Sequence, residues 1–326
     1  MRVLVTGSAG FIGFSVASRL LDRGDEVIGI DNFNEYYDST LKVARNALLE
    51  KRKGFTLVRG DITNQKDLDK AFSLLTLPGT RNQEPITRVC HLAAQAGVRH
   101  SIDHPEIFLR DNINGFNMVI EEGRKKKVGG MIYASTSAVY GDNKEHPFSE
   151  AHRTDTPISI YGFTKKANEL QAYLYHKMYG ISCTGLRFFT VYGPWGRPDM
   201  ALFLFTDKVL KGETLPVFGH GKMQRDFTYI DDIVSGVIAT LDRNDPYEIY
   251  NLGGGKTEEL MDYIGAIEKA CGKEGKKEFL PMQAGDVVAT SADITKARKA
   301  LGYDPKTRIS EGVPKFVTWY REYYGI

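Results

Sequence analysis

The run Thr6-Gly7-Ser8-Ala9-Gly10-Phe11-Ile12-Gly13 constrains the fold more than any other stretch of this chain. It follows an apolar, strand-like segment from Met1 to Thr6 and opens an apolar-periodic helix that runs to Leu21. Gly24 ends that helix, and Glu26 to Ile30 read as a second short strand, so the segment has the size of one βαβ unit. Each glycine has a distinct task in such a turn. One makes the tight bend, one lets the backbone approach a pyrophosphate, and one lets helix and strand pack closely. The helix start then presents free N–H groups and a partial positive charge to phosphate oxygens. The glycines stand three apart, so the turn is not the shorter G-x-G-x-x-G form.

Further strand-like runs follow at Thr56–Arg59, Arg88–Leu92, Gly130–Ser135 and Ser182–Phe188. Helical patterns separate them at Asn64–Leu75, Asn112–Lys127 and Phe163–Tyr179. Glu35–Arg52 resembles an extra helix inserted after the second strand, and Leu77–Glu84 reads as a loop. This alternation predicts an α/β fold, a doubly wound Rossmann parallel sheet with helices on both faces. The rhythm breaks at Gly193-Pro194-Trp195-Gly196-Arg197-Pro198, which is loop chemistry. Beyond it lie helical patterns at Asp231–Arg243, Glu258–Cys271 and near Val313–Tyr323. The expected organisation is a dinucleotide-binding domain over 1–188, with about 228–255 returning to it. A second, smaller mixed α/β substrate domain would take 189–227 and 256–326.

A chain of 326 residues can bury a sizeable core without staples. Its 43 basic and 41 acidic residues leave a net charge of +2, which gives no general affinity for nucleic acid. Arg124-Lys125-Lys126-Lys127 reads as a solvated helix end. Cys90, Cys183 and Cys271 are odd in number and far apart, without metal-ligand spacing. They are expected to be buried free thiols in a reducing compartment, and no metal site is expected. The N-terminal apolar run carries the glycine turn in place of a signal-peptide cleavage site. No stretch has the roughly 18 consecutive apolar residues of a membrane span. A cytoplasmic protein acting without membrane or nucleic acid is the expectation.

Asp31 ends the second strand, where a carboxylate can accept hydrogen bonds from adenosine ribose hydroxyls and would repel a 2′-phosphate. That predicts NAD over NADP. Gly60-Asp61-Ile62 follows the third strand, and Asp61 either contacts the adenine amino group or caps the next helix. His91-Leu92-Ala93-Ala94 follows the fourth. The small Ala93 and Ala94 let a dinucleotide lie against the sheet edge, and His91 reads as a packed structural histidine.

Tyr161-Gly162-Phe163-Thr164-Lys165 places Tyr161 and Lys165 on one helix face. A free tyrosine ionises near pH ~10, too high for a base at neutral pH. An adjacent ammonium stabilises the phenolate, and the tyrosine can then take a proton from a sugar alcohol as hydride leaves. The strand end Tyr133-Ala134-Ser135-Thr136-Ser137-Ala138-Val139-Tyr140-Gly141 supplies a third group. The Thr136 hydroxyl either bridges the substrate oxygen and the tyrosine or satisfies its own turn.

These residues together resemble the extended short-chain dehydrogenase/reductase family, which acts on nucleotide sugars. Four elements carry the resemblance over essentially the whole chain: the T-G-x-x-G-F-I-G turn, the Asp31-Asn32 pair, the Thr136/Tyr161/Lys165 triad, and Arg225-Asp226-Phe227-Thr228-Tyr229-Ile230-Asp231-Asp232. The family's catalytic Ser/Thr lies four before the Tyr of V-Y-G, which here is Thr136. The resemblance implies Tyr161, Lys165 and Thr136 as catalytic residues. Its cofactor residues would be Gly7, Gly10, Phe11, Ile12, Gly13, Asp31, Asn32, Asp61, Ile62, Leu92, Ala93 and Ala94, with Tyr161 and Lys165.

The branch is narrowed by what is missing. The family's 4,6-dehydratases carry an Asp-Glu pair where Ser137-Ala138 stands, and its decarboxylases carry a glutamate at the Ala138 position. The segments 31–37 (DNFNEYY), 93–101 (AAQAGVRHS), 193–201 (GPWGRPDMA) and 217–230 (VFGHGKMQRDFTYI) are similar to UDP-glucuronate 4-epimerases. That similarity implies inversion of carbon 4 through a 4-keto intermediate. It also implies a diphosphate contact at Arg225 and a uridine ribose contact at Asp286. UDP-glucose 4-epimerases usually have Arg where Gln283 stands and Asn where Thr190 stands. Ser137 and Thr190 are the expected carboxylate ligands, aided by Arg99 or Arg197. Each arginine could equally be a phosphate contact or a structural ion pair. A homodimer through the helices at Asn112–Lys127 and Phe163–Tyr179 is implied, although those apolar faces could also be ordinary core. The alternatives are epimerisation of UDP-glucose or UDP-N-acetylglucosamine, or net oxidoreduction of a nucleotide sugar.

Overall fold

A computed structural model describes residues 1–74, 87–283 and 285–326. The expected loop at Leu77–Glu84 lies outside them. The first elements are β1 (Arg2–Thr6), α1 (Phe11–Asp22), β2 (Glu26–Asp31), α2 (Thr40–Glu50), β3 (Phe55–Arg59), α3 (Gln65–Ser73) and β4 (Thr87–His91). Two short helices, α4 (His100–Asp103) and α5 (Pro105–Phe108), lead through a π-helical turn (109–114) into α6 (Gly115–Lys125). Then come β5 (Gly130–Thr136), a 3₁₀ turn at 137–140, α7 (Ile160–Tyr179) and β6 (Cys183–Phe188). The later elements are β7 (Thr190–Tyr192), α8 (Ala201–Lys211), β8 (Leu215–Val217), β9 (Gln224–Arg225), β10 (Phe227–Tyr229), α9 (Ile230–Arg243) and β11 (Tyr247–Leu252). The chain closes with β12 (Glu258–Glu259), α10 (Leu260–Cys271), β13 (Lys277–Phe279), α11 (Thr295–Leu301) and α12 (Ile309–Tyr324).

Among the described residues the main sheet has seven strands in the order β11-β6-β5-β4-β1-β2-β3. Pairing is parallel from β3 through β2, β1 and β4 to β5, with Val3 opposite Val27 and Arg88. The order reverses between β1 and β4, the switch point where open α/β sheets bind ligands. The expected Rossmann sheet is therefore present. Its central strands carry uninterrupted apolar runs because both faces are covered: Val3, Leu4 and Val5 are fully buried, and so is Val89. Leu68 and Phe72 of α3 and Phe116, Val119 and Ile120 of α6 fill one face.

Chain contacts divide the molecule into two compact units. The first comprises 1–143, 153–187 and 234–250, and holds the sheet. The second comprises 144–152, 188–233 and 251–326. It is mixed α/β, with small two-stranded pairs β7–β10, β9–β12 and β8–β13 and the helices α8, α10 and α12.

Several element boundaries differ from expectation: the helix expected over Glu35–Arg52 spans only Thr40–Glu50, the last helix begins at Ile309, and three others have a local cause. The helix expected from Phe163 begins at Ile160, because Ser159 is extended and its hydroxyl accepts the Gly162 amide at 3.0 Å. The helix expected over Asn112–Lys127 starts as a π turn, where the Asn112 side chain is drawn inward to Gln95 and Thr164. Glu258 and Glu259 pair with Arg225 and Gln224 as a strand before the helix at Leu260 begins.

Candidate active site

The glycine turn is built as its sequence suggests. Gly7 has φ +72°, a left-handed conformation, and a Cβ there would lie 2.8 Å from the Ala93 nitrogen. A Cβ on Gly13 would lie 2.0 Å from the Gly7 carbonyl oxygen, so only hydrogen fits. Gly10 precedes the first helical residue, Phe11, and the first turn of α1 carries neither a side-chain cap nor an acidic residue. Its free N–H groups, with Ile12 and Gly13 behind them, are available to an anion.

Asp31 closes β2 and is buried. Its carboxylate accepts the amides of Ala9 at 3.0 Å and Phe33 at 2.8 Å. Burial raises its pKa, with those amides and the charges of Lys42 and Arg45 opposing the rise. Asn32 donates to Asp61 at 2.9 Å, and Asp61 also accepts the amide and hydroxyl of Thr63. Burial would raise the Asp61 carboxyl, but these donors outweigh it and the pKa is lowered. Asp61 does not cap the next helix: Asn64 does, accepting the amides of Lys66 and Asp67. Ile62 is buried where a Cβ on Gly115 would meet it. The amides of Leu92 and Ala93 donate to the Thr6 hydroxyl, which ties the loop 92–94 to the end of β1.

The three residues expected to carry the reaction, Thr136, Tyr161 and Lys165, lie within the same unit. Thr136 is the last residue of β5, and its hydroxyl accepts the Ala138 amide at 3.2 Å. The turn holding Ser137 abuts the start of α7, since a Cβ on Gly162 would lie 2.6 Å from the Ala138 carbonyl oxygen. Half-buried Tyr161 is the second residue of α7. Its amide donates to the Ser101 hydroxyl at 3.1 Å, and its ring lies edge-on to Phe108 at 6.2 Å. One turn on, Lys165 is buried and donates to the Ala134 carbonyl at 3.0 Å. Burial pushes its ammonium down to about 7. Desolvation is the cause, since it disfavours the charged form. Sequence reasoning missed Asn112, which links Gln95 to Thr164 beside this face, and Ser101, which positions Tyr161. Neither lies in a spacing that marks it.

Arg99 is exposed and precedes α4. The remaining expected ligands lie in the second unit. Thr190 begins β7, its amide donating to the Asp226 carbonyl at 3.1 Å. Arg197 and Asp199 form a two-pronged ion pair, and Thr190 and Arg197 line one small cavity with Met200 and Phe227. Arg225 donates to the Val288 carbonyl at 3.1 Å, which brings it to the segment that carries Asp286. Asp226, one position on, is buried and accepts the amides of Gly254, Gly255 and Ala292. Burial pushes its pKa up to about 6 against those donors. It pins loops rather than facing a ligand.

A family model described as NAD dependent epimerase/dehydratase matches residues 3–253. UDP-glucuronate 4-epimerase 4 of Arabidopsis thaliana is 45% identical over 99% of this chain and 76% of its own length. The crystal structure of UDP-glucuronic acid 4-epimerase from Bacillus cereus, in complex with UDP-glucuronic acid and NAD, superposes with a TM-score of 0.92. It is 37% identical and covers 99% of this chain and 100% of its own. The UDP-glucose 4-epimerase of Thermotoga maritima, solved with UDP-glucose, is 31% identical with a TM-score of 0.87, over 99% of this chain and 100% of its own.

Proposed function

The chain belongs to the NAD dependent epimerase/dehydratase family, and from that premise we propose that it is a UDP-glucuronate 4-epimerase, interconverting UDP-glucuronate and UDP-galacturonate. The observation that carries this reading is Tyr161 and Lys165 on one face of α7, set against the strand end that presents Thr136. The glycine cradle, closed to any Cβ, and the carboxylate of Asp31 fit NAD. When bound, NAD supplies reversible hydride acceptance at carbon 4. Gly7, Gly10, Phe11, Ile12 and Gly13 would hold its pyrophosphate. Asp31, Asn32, Asp61 and Ile62 would hold its adenosine half, and Leu92, Ala93 and Ala94 would line its path to Tyr161 and Lys165.

Tyr161 removes the proton from the carbon 4 hydroxyl and returns it to the epimeric alcohol. Lys165 lowers the cost of the phenolate, and Thr136 holds the sugar oxygen. Between the two proton transfers the sugar is a 4-keto uronic acid that turns to present its other face. That intermediate is a β-keto acid and loses carbon dioxide if its carboxylate aligns with the carbonyl π system. Ser137 and Thr190 restrain the carboxylate, with Arg99 or Arg197, while Arg225 and Asp286 hold the nucleotide. Incubating the protein with a panel of UDP-sugars and separating the products tests the assignment. Conversion of UDP-glucuronate without stoichiometric absorbance at 340 nm is expected. Preferential turnover of a neutral UDP-sugar overturns the substrate, and accumulating reduced cofactor overturns the reaction class.

The partner is a second copy of this chain. Phe163, Leu170, Leu174 and Met178 are exposed at helical spacing along α7, with fractional exposures of 45%, 60%, 51% and 60%. A Leu170→Glu/Leu174→Glu variant is expected to sediment as a monomer where the parent sediments as a dimer. Among the described residues no helix is long and apolar enough to cross a membrane. Cys90, Cys183 and Cys271 are buried free thiols, which suits a reducing cytoplasm. Recovery in the cytosolic fraction of lysed cells checks this.

A further inference from the structure

Four buried polar side chains of the first unit form one connected group behind the reactive face. Glu169 accepts the Ser135 hydroxyl at 2.7 Å and a two-pronged pair of bonds from Arg187, at 2.8 Å from Nε and 2.9 Å from Nη2. Arg187 Nη1 donates to the Tyr140 hydroxyl at 3.0 Å, and the guanidinium lies 4.9 Å from the centre of that ring. Burial alone would raise the Glu169 carboxyl. Arg187 and Ser135 outweigh it, so the side chain stays a carboxylate. A fork-to-fork arginine–carboxylate pair is directional as well as strong.

The attachments of this group give it a role. Ser135 immediately precedes Thr136 on β5. Tyr140 closes the turn that begins with Ser137. Glu169 lies one helical turn after Lys165 and two after Tyr161 on α7. Arg187 comes from β6, the neighbour of β5 in the sheet. The three segments that carry Thr136, Ser137 and the Tyr161–Lys165 face are thus joined through one ion pair.

We propose that Glu169 and Arg187 are the positioning pair of the reaction, setting the spacing between the Thr136 hydroxyl and the Tyr161–Lys165 face. The proposal rests on the epimerase reading for the identity of the reacting groups. Both side chains are buried, so they act through their neighbours. Their failure to pair would misplace the triad while leaving nucleotide contacts on other elements intact.

The test measures kcat and KM for UDP-glucuronate with the whole enzyme, kcat being referred to folded, NAD-binding protein. Glu169→Gln and Arg187→Met are expected to lower kcat by about tenfold or more, because small displacements of reacting groups are costly. KM and the dissociation constant for NAD are expected to change by about twofold or less, as an effect confined to the transition state requires. Arg187→Lys keeps the charge but loses the fork, and is expected to recover part of kcat. Should the charged-pair variants fail to fold, Ser135→Ala and Tyr140→Phe each cut one arm. Each is expected to lower kcat several-fold, with the double variant losing less than the product of the two. Unchanged kcat per folded site in these arms, or KM rising in step with the fall in kcat, overturns the proposal. A parent enzyme that turns over another UDP-sugar removes only the substrate assignment, and the pair is then judged on that sugar. A parent that turns over none overturns both.

Discussion

The side-chain oxygen of Thr6 lies 2.8 Å from Nδ1 of His91, and the same oxygen accepts the amides of Leu92 and Ala93 at 3.2 and 3.1 Å. With both lone pairs engaged, the hydroxyl has its proton left for the ring, so Nδ1 accepts and the imidazole is neutral. Burial, aided by the charge of Lys165, pushes the His91 pKa down to about 3. Folding therefore excludes a proton that the unfolded chain takes up below its ordinary value of 6.5. The parent should lose stability as the pH falls from 6.5 toward 3, with His91 contributing a slope of up to about 1.4 kcal/mol per pH unit. In His91→Gln that contribution is absent, so the gap in urea unfolding free energy between parent and variant should narrow from pH 7 to pH 5. A gap of constant size would remove His91 from the acid response.

Gly13 faces the Gly7 carbonyl so closely that Ala cannot enter without moving the turn. Gly13→Ala should weaken NAD binding by roughly tenfold or more, as the loss of a pyrophosphate-facing amide implies. Calorimetric titration with NAD checks this. Parent-like affinity would mean that the turn is not the phosphate cradle.

Asp31 is held by two backbone amides at the end of β2, which fixes where its negative charge lies. Asp31→Ser removes that charge and should narrow the preference for NAD over NADP by about tenfold, since repulsion of a 2′-phosphate is lost. Dissociation constants for the two dinucleotides read the ratio directly. An unaltered ratio would move discrimination elsewhere.

Tyr161→Phe leaves the helix start and the Ser101 contact in place, because that contact is made by the backbone. Activity should fall by about 10²-fold or more while circular dichroism and NAD affinity stay near the parent values. Turnover close to normal would exclude Tyr161 as the base.

Thr190→Asn changes the first residue of β7, beside Arg197 in the cavity of the second unit. UDP-glucuronate turnover should fall by about tenfold relative to UDP-glucose, the scale of one altered polar contact. Equal effects on both sugars would show that Thr190 does not read the carboxylate.

What the chain declares by itself is local. The glycine turn, the strand and helix periodicities and the four-residue step from Tyr161 to Lys165 all lie within a few residues, so the Rossmann sheet and the shared helix face of Tyr161 and Lys165 are legible before folding. Asp31 at a strand end and His91 as a packed histidine are legible for the same reason. What only the folded molecule decides depends on distance through space. The helix begins at Ile160 because Ser159 caps it, and Tyr161 is positioned by Ser101, 60 positions away. Asn112 turns inward through a π segment to reach Thr164. The Lys165 pKa is lowered because packing strips the ammonium of water. Glu169 finds Ser135 34 positions away and Arg187 18 positions away. Desolvation and long-range ion pairing have no period along a sequence; they exist only once the strands and helices have chosen their neighbours.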